Sequence, residues 1–152
     1  MSSDVFISYS NRDQSIAKAI CTHLESEKVS CWIAPRDIQP GVPYAAEIMR
    51  GLESCKVVVL VFSKSANTSS AVKRELERAS SKDKPIVTFR IENALPGSEV
   101  EYFIGGTQWL DAYPGTVGAH LGRLAAAIKN IIEDSSLAVD RERRGNQIRL
   151  NR

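Results

Sequence analysis

The chain has 152 residues, 43% hydrophobic and 25% charged, with a formal net charge of +2, the balance of one globular domain long enough to bury a single core. No apolar run approaches the ~18 residues that span a bilayer, and no basic segment leading into a longer apolar stretch opens the sequence, so cytoplasmic residence without membrane contact is expected. Three cysteines (Cys21, Cys31, Cys55) and two histidines (His23, His120) are too few and too scattered for a disulfide framework or a metal centre.

In chain order, VFISY (5–9) has few polar residues and reads as a strand buried on both faces. From Asp13 to Lys28 the spacing predicts a helix, with Ile16, Ala17, Ile20, Cys21 and Leu24 on one face and Asn11 or Asp13 as its cap. VSCWIA (29–34) is a second strand. Pro35, Pro40, Gly41 and Pro43 then stiffen a loop that carries Arg36 and Asp37, and a helix follows from about Pro43 to near Ser54. KVVVLVF (56–62) is the clearest central strand, continuous in β-branched residues. The loop SKSANTSS, rich in capping residues, opens a helix through Ser80 that faces inward with Val72, Leu76 and Ala79. PIVTFRI (85–91) is a fourth strand, 92–106 is expected to be irregular, and TQWLDA supplies a short fifth strand. A last helix over about 117–134 carries the stripe Val117, Leu121, Leu124, Ile128 and Ile131.

Strands alternating with helices at this spacing predict an α/β fold: a flavodoxin-like, open, five-stranded parallel sheet of order 2-1-3-4-5 with helices on both faces. It is expected to occupy residues 1–134. Residues 135–152 are expected to form a basic, flexible tail or linker, leading to a further domain. Within it, DRERRGNQIRLNR (140–152) holds five Arg against Asp140 and Glu142, a local balance of +3; the other 139 residues hold 15 basic and 16 acidic side chains, hence −1. The folded part is electrostatically bland, and nucleic acid is not an expected partner.

Ligands of such sheets bind at the carboxyl ends of the strands. Those ends gather Tyr9, Ser10 and Arg12, then Ala34 to Asp37, then Ser63 with Ser65, then Arg90. Hydroxyls and guanidinium groups together could hold a phosphorylated ligand. There is no GxGxxG and no phosphate-binding lysine loop. A phospho-accepting receiver is excluded because strand one ends in Tyr9-Ser10 and strand three in Phe62-Ser63, where acidic residues would be required. A serine hydrolase lacks its GxSxG turn, and both histidines fall on helix segments.

FISYS with its polar turn, CWIAPRDIQPG, VVVLVFS, KRELERA and the late QWLDA, in this order, resemble a Toll/interleukin-1 receptor (TIR) domain, most closely the bacterial, NAD-cleaving kind, over residues 4–134. The resemblance implies either an enzyme that cleaves NAD at the nicotinamide–ribose bond or a non-catalytic TIR–TIR interaction module, acting as a scaffold or a mimic of host signalling. In the enzymatic kind a glutamate on the helix after strand three is catalytic, which falls on Glu75; Glu77, about 200° round the helix, is its rival. NAD would be a substrate, with no cofactor and no metal. Substrate-binding positions would be Tyr9, Ser10, Arg12, Ala34, Arg36, Asp37, Ser63 and Ala71. The aromatic residue that many relatives carry one turn before the glutamate is here Ala71, and Tyr9 or Tyr44 could supply the missing ring, whereas Trp32 is expected in the core. Pro35, Arg36, Asp37, Ile38, Gln39, Pro40 and Gly41 correspond to the loop that mediates self-association in the family, head to tail and open-ended. The implied setting is bacterial antiviral defence or a toxin-like effector.

Overall fold

The computed structural model describes the backbone of residues 3–150 and the side chains of residues 3–136. Five parallel strands, β1 (Val5–Ser8), β2 (Cys31–Trp32), β3 (Val57–Phe62), β4 (Ile86–Arg90) and β5 (Gln108–Asp111), form one sheet in the order β2-β1-β3-β4-β5. The expected strand order is the observed one. All six residues of β3 are fully buried, as its unbroken apolar run requires of a strand covered on both faces.

The period of two in the strands divides the core into two layers. Val5 and Ile7, Val57, Val59 and Val61, and Val87 and Phe89 face α1 (Gln14–Ser26) and α6 (Leu121–Leu150), which contribute Ala17, Ile20, Leu24, Leu124 and Ile128. Phe6, Val58, Leu60 and Phe62 face the opposite way. There they meet Leu52 of α2 (Tyr44–Ser54), Val72, Leu76 and Ala79 of α4 (Ser70–Ser81), and Val100 and Ile104 of α5 (Ser98–Ile104). The three cysteines are buried and free, one in each of the expected places: a helix, a strand and a helix end.

Several boundaries differ from expectation. The loop after β3 folds into a short helix, α3 (Lys64–Thr68), before α4, because Ser63 and Ser69 each cap a separate helix start: their side chains accept from the N–H groups of Ala66 and Val72. The stretch 92–106, expected to be irregular, contains α5, whose Val100 and Ile104 pack on the sheet. Asp13 stands at the start of α1 without capping it, since its carboxylate accepts the Ser63 hydroxyl instead. Strand β2 keeps only two of its six expected residues. Helix α6 runs to Leu150, past the expected end at 134. The basic stretch 140–152 lies among residues whose side chains are outside those described. No described helix is long and apolar enough to cross a membrane.

Candidate active site

A cavity of about 450 Å³ opens beside the carboxyl ends of β1 and β2, on the face covered by α2 and α4. Its size is that of small-molecule sites. Its walls are mostly apolar: Phe6 and Ile7 from β1, Trp32 and Ala34 from β2 and its end, Tyr44, Ala45, Ile48 and Met49 from α2, and Ala71 from α4. The polar lining is Tyr9, Asn11, Arg74 and Glu75.

Helix α4 places Glu75. Ser69 caps it, and Val72, Leu76 and Ala79 dock it on the sheet. Glu75 then lies one turn beyond Ala71 on the flank that borders the cavity. Only 8% of Glu75 is exposed, which disfavours the ionised form, and burial pushes its carboxyl up to about 7. The Ser8 hydroxyl, donating to Oε1 at 2.8 Å, and the charge of Arg74 pull the other way. The rival Glu77 is exposed, outside this cavity. Arg78, which stands in reach of Glu75 along the helix, pairs instead with Glu53 of α2.

The aromatic lining has its own logic. Trp32 lies flat on Phe6, with ring centroids 5.1 Å apart and planes at 7°, and is nearly buried, as expected of a core residue. It nonetheless lines the cavity. Helix α2 crosses the other side of its indole at Gly51, where a Cβ would stand 2.6 Å from the ring carbons. Only glycine permits that approach. The Tyr9 hydroxyl donates to the Ala34 carbonyl and so ties the ends of β1 and β2 together; burial, with Tyr44 and Glu75 nearby, pushes its pKa above the usual phenol range. Tyr44 is 57% exposed at the rim.

Of the positions expected at the site, Tyr9, Ala34, Ala71 and Glu75 line the cavity, and both candidate rings, Tyr9 and Tyr44, are there. Ser10, Arg12, Arg36, Asp37 and Ser63 are not among its lining residues. Ser10 is buried behind the edge, Arg12 is exposed, and Ser63 is committed to Asp13. Arg36 turns back on its own domain: it pairs with Glu25 at 2.8 Å and Asp37 at 2.9 Å, donates to the Cys31 carbonyl, and reaches the Cys21 sulfur. Asp37 also accepts from the Ile33 amide, which closes the loop on itself. Arg36 borders a second cavity with Lys18, Cys21 and Thr22 of α1. Arg90 is held by Asp111 between the rings of Trp109 and Tyr113, 5.4 and 5.3 Å from their centroids.

Sequence reasoning missed Ser8, Asn11, Arg74 and the α2 residues Ala45, Ile48 and Met49. Ser8 had a signal: it is the one hydroxyl within β1 and shares the face of Phe6, so it needs a buried partner. Among the described residues no group of three or more His, Cys, Asp or Glu stands together as metal ligands.

The family model "TIR domain" matches residues 5–125. No curated protein matches the sequence significantly. Among solved structures, the TIR domain of a Toll-related receptor from Hydra magnipapillata is 22% identical, covering 84% of this chain and 99% of its own, with a TM-score of 0.71. A metazoan TIR-STING receptor from C. gigas is 20% identical over 83% of this chain and 39% of its own, TM-score 0.63. A CMP N-glycosidase from Clostridium botulinum is 12% identical over 80% of this chain and 97% of its own, TM-score 0.56. At these identities the likeness is one of fold.

Proposed function

The chain belongs to the TIR domain family, and we propose that it cleaves NAD at the nicotinamide–ribose bond, as an NAD glycohydrolase or ADP-ribosyl cyclase. The observation that carries this reading is one buried carboxylate, Glu75, on the wall of a mostly apolar cavity. Nicotinamide leaves as a neutral base, taking the bonding electron pair, so no general acid is needed. What needs help is the ribosyl cation left behind. A carboxylate in a poorly hydrated cavity stabilises that cation more strongly than it would in water. Water then attacks C1′ and releases a proton, giving ADP-ribose; attack by an adenine nitrogen would give the cyclic product.

Tyr9 and Tyr44 offer the ring surfaces that Ala71 does not. Arg74 at the cavity rim is the cation suited to the pyrophosphate. The fold accommodates this class of reaction, since the C. botulinum protein is named for cleaving an N-glycosidic bond. Self-association through the loop at 35–41 belongs to the same proposal, because the exposed run 39–46 next to the cavity presents Val42 and Tyr44 to solvent. The setting we infer is cytoplasmic, in bacterial defence or as a toxin-like effector, coupled to a sensor domain.

Two observations favour the second reading, a non-catalytic interaction module. No ring precedes Glu75 on its helix, and Arg36 and Asp37 are bound to their own domain rather than to the cavity. Incubation of concentrated protein with NAD decides between the two. Nicotinamide should appear with the wild type and not with Glu75→Ala. Equal release from both proteins removes Glu75 from the chemistry, and no release from a crowded or filamentous wild type favours the interaction module.

A further inference from the structure

We propose that Ser8 is a positioning residue whose hydroxyl holds Oε1 of Glu75 and leaves Oε2 as the carboxylate oxygen with its full acceptor capacity free for a ligand in the cavity. The proposal rests on the reading of Glu75 as the group that meets substrate. Ser8 is fully buried on β1, and its Oγ donates to Oε1 at 2.8 Å. This is the only hydrogen bond made by the Glu75 side chain among the described residues, and none reaches Oε2.

The other groups facing Glu75 are otherwise engaged. The Tyr9 hydroxyl is spent on the Ala34 carbonyl. Arg74 on α4 acts on Glu75 through charge and not through a hydrogen bond, and Tyr44 of α2 stands at the rim. A glutamate has three rotatable side-chain bonds, and an unanchored one beside a cavity would swing between the cavity and solvent. The serine fixes that choice from the sheet, the most rigid part of the molecule. Its hydroxyl has one proton, so it can hold one oxygen and no more.

A chemical consequence follows for the substrate. A free carboxylate could clamp both ribose hydroxyls, one per oxygen. Here Oε2 is the oxygen that meets the ribosyl unit first, as acceptor for its hydroxyls or as counter-charge to the cation at C1′. The same hydrogen bond favours the ionised form of Glu75 against its burial, so Ser8 sets both where the charge lies and at what pH it exists.

The test labels glutamate side chains with carbon-13 and follows the Glu75 carboxyl resonance, assigned by its absence in Glu75→Gln, through a pH titration. In Ser8→Ala the midpoint should rise by about one pH unit, a tenfold change in the proton equilibrium, the usual worth of one hydrogen bond to a charge. Ser8→Thr should restore it, and Ser8→Cys, which keeps the volume but donates weakly, should resemble the alanine variant. Towards NAD near neutral pH, Ser8→Ala should lower kcat by about tenfold with little change in KM. A midpoint unmoved in both Ser8→Ala and Ser8→Cys overturns the proposal whatever the activity. A wild type inert towards NAD, with the midpoint still moving, removes the catalytic reading and leaves the hold of Ser8 on Glu75 standing.

Discussion

Replacing Glu75 by glutamine should make the protein more stable above neutral pH while abolishing its chemistry. Burial raises the Glu75 carboxyl from its ordinary value of 4.5 to about 7. A carboxyl raised in the folded state binds its proton more tightly there than in the unfolded chain, so its ionisation opposes folding. Below pH 4.5 it is protonated in both states and costs nothing. Between 4.5 and 7 the cost grows as the unfolded chain ionises and the folded one does not, and above 7 it is fully present. Roughly 2.5 pH units at ~1.4 kcal/mol each amount to ~3 kcal/mol. Glutamine has the same shape, accepts the Ser8 hydroxyl through its carbonyl, and never ionises. Urea unfolding followed by circular dichroism should therefore give Glu75→Gln an advantage of ~3 kcal/mol at pH 8.5 that shrinks to near zero at pH 4.5. In a domain of this size that is a rise of roughly 10 °C in Tm at the higher pH. Because both proteins carry every other carboxylate, those contributions cancel in the difference. A difference that does not depend on pH, or a glutamine variant less stable at pH 8.5, would refute the claim that Glu75 is held in a poorly solvated site.

Two further outcomes test the walls of the cavity and the loop. Gly51→Ala brings a methyl to within 2.6 Å of the Trp32 ring; it should cost about 1–3 kcal/mol by urea unfolding and quench or shift Trp32 fluorescence as α2 is displaced. Arg36→Glu sets like charges against Glu25 and Asp37 and should release the loop, so that NAD cleavage falls more steeply on dilution than in the wild type. The paired change Glu25→Arg with Arg36→Glu should recover the dilution profile, and no recovery would mean that the loop is not held by that ion pair.

The frame of this fold was readable because its signals are redundant. Strand β3 is six apolar residues in a row, four of them valine, and β-branched content at that length points to a strand covered on both faces. The spacing of Val72, Leu76 and Ala79 fixed which flank of α4 meets the sheet, and with it the separation of Glu75 from Glu77. Helix α5 was hidden because only Val100 and Ile104 of its seven residues are fully buried, too few to establish a period beside three nearby glycines. The lining of the cavity was legible where residues sit on a helix or just past a strand end, as with Glu75, Tyr9 and Ala34. A side chain's placement was not legible where its partner lies elsewhere in the chain. Arg36 looked like a free cation in a loop, but its partner Glu25 lies 11 residues earlier on α1.

The same distinction explains why Ser10 was singled out where Ser8 carries the contact. From sequence, a hydroxyl just past a strand end looks available to ligand, and one inside the strand looks like a neutral filler. Burial reverses this: a polar group beyond the strand can satisfy itself with backbone or water, but one inside the core is costly unless another group meets it. Ser8 is met by Glu75, and Glu75 by Ser8, 67 residues apart in sequence. Two residues that each lower the quality of an apolar core are thus tolerable only as a pair. A carboxylate held against desolvation at a mostly apolar cavity wall opposes folding when it ionises, and an apolar side chain there would not. The stability that its ionisation is expected to cost is a physical ground for reading the position as one where this domain meets a ligand.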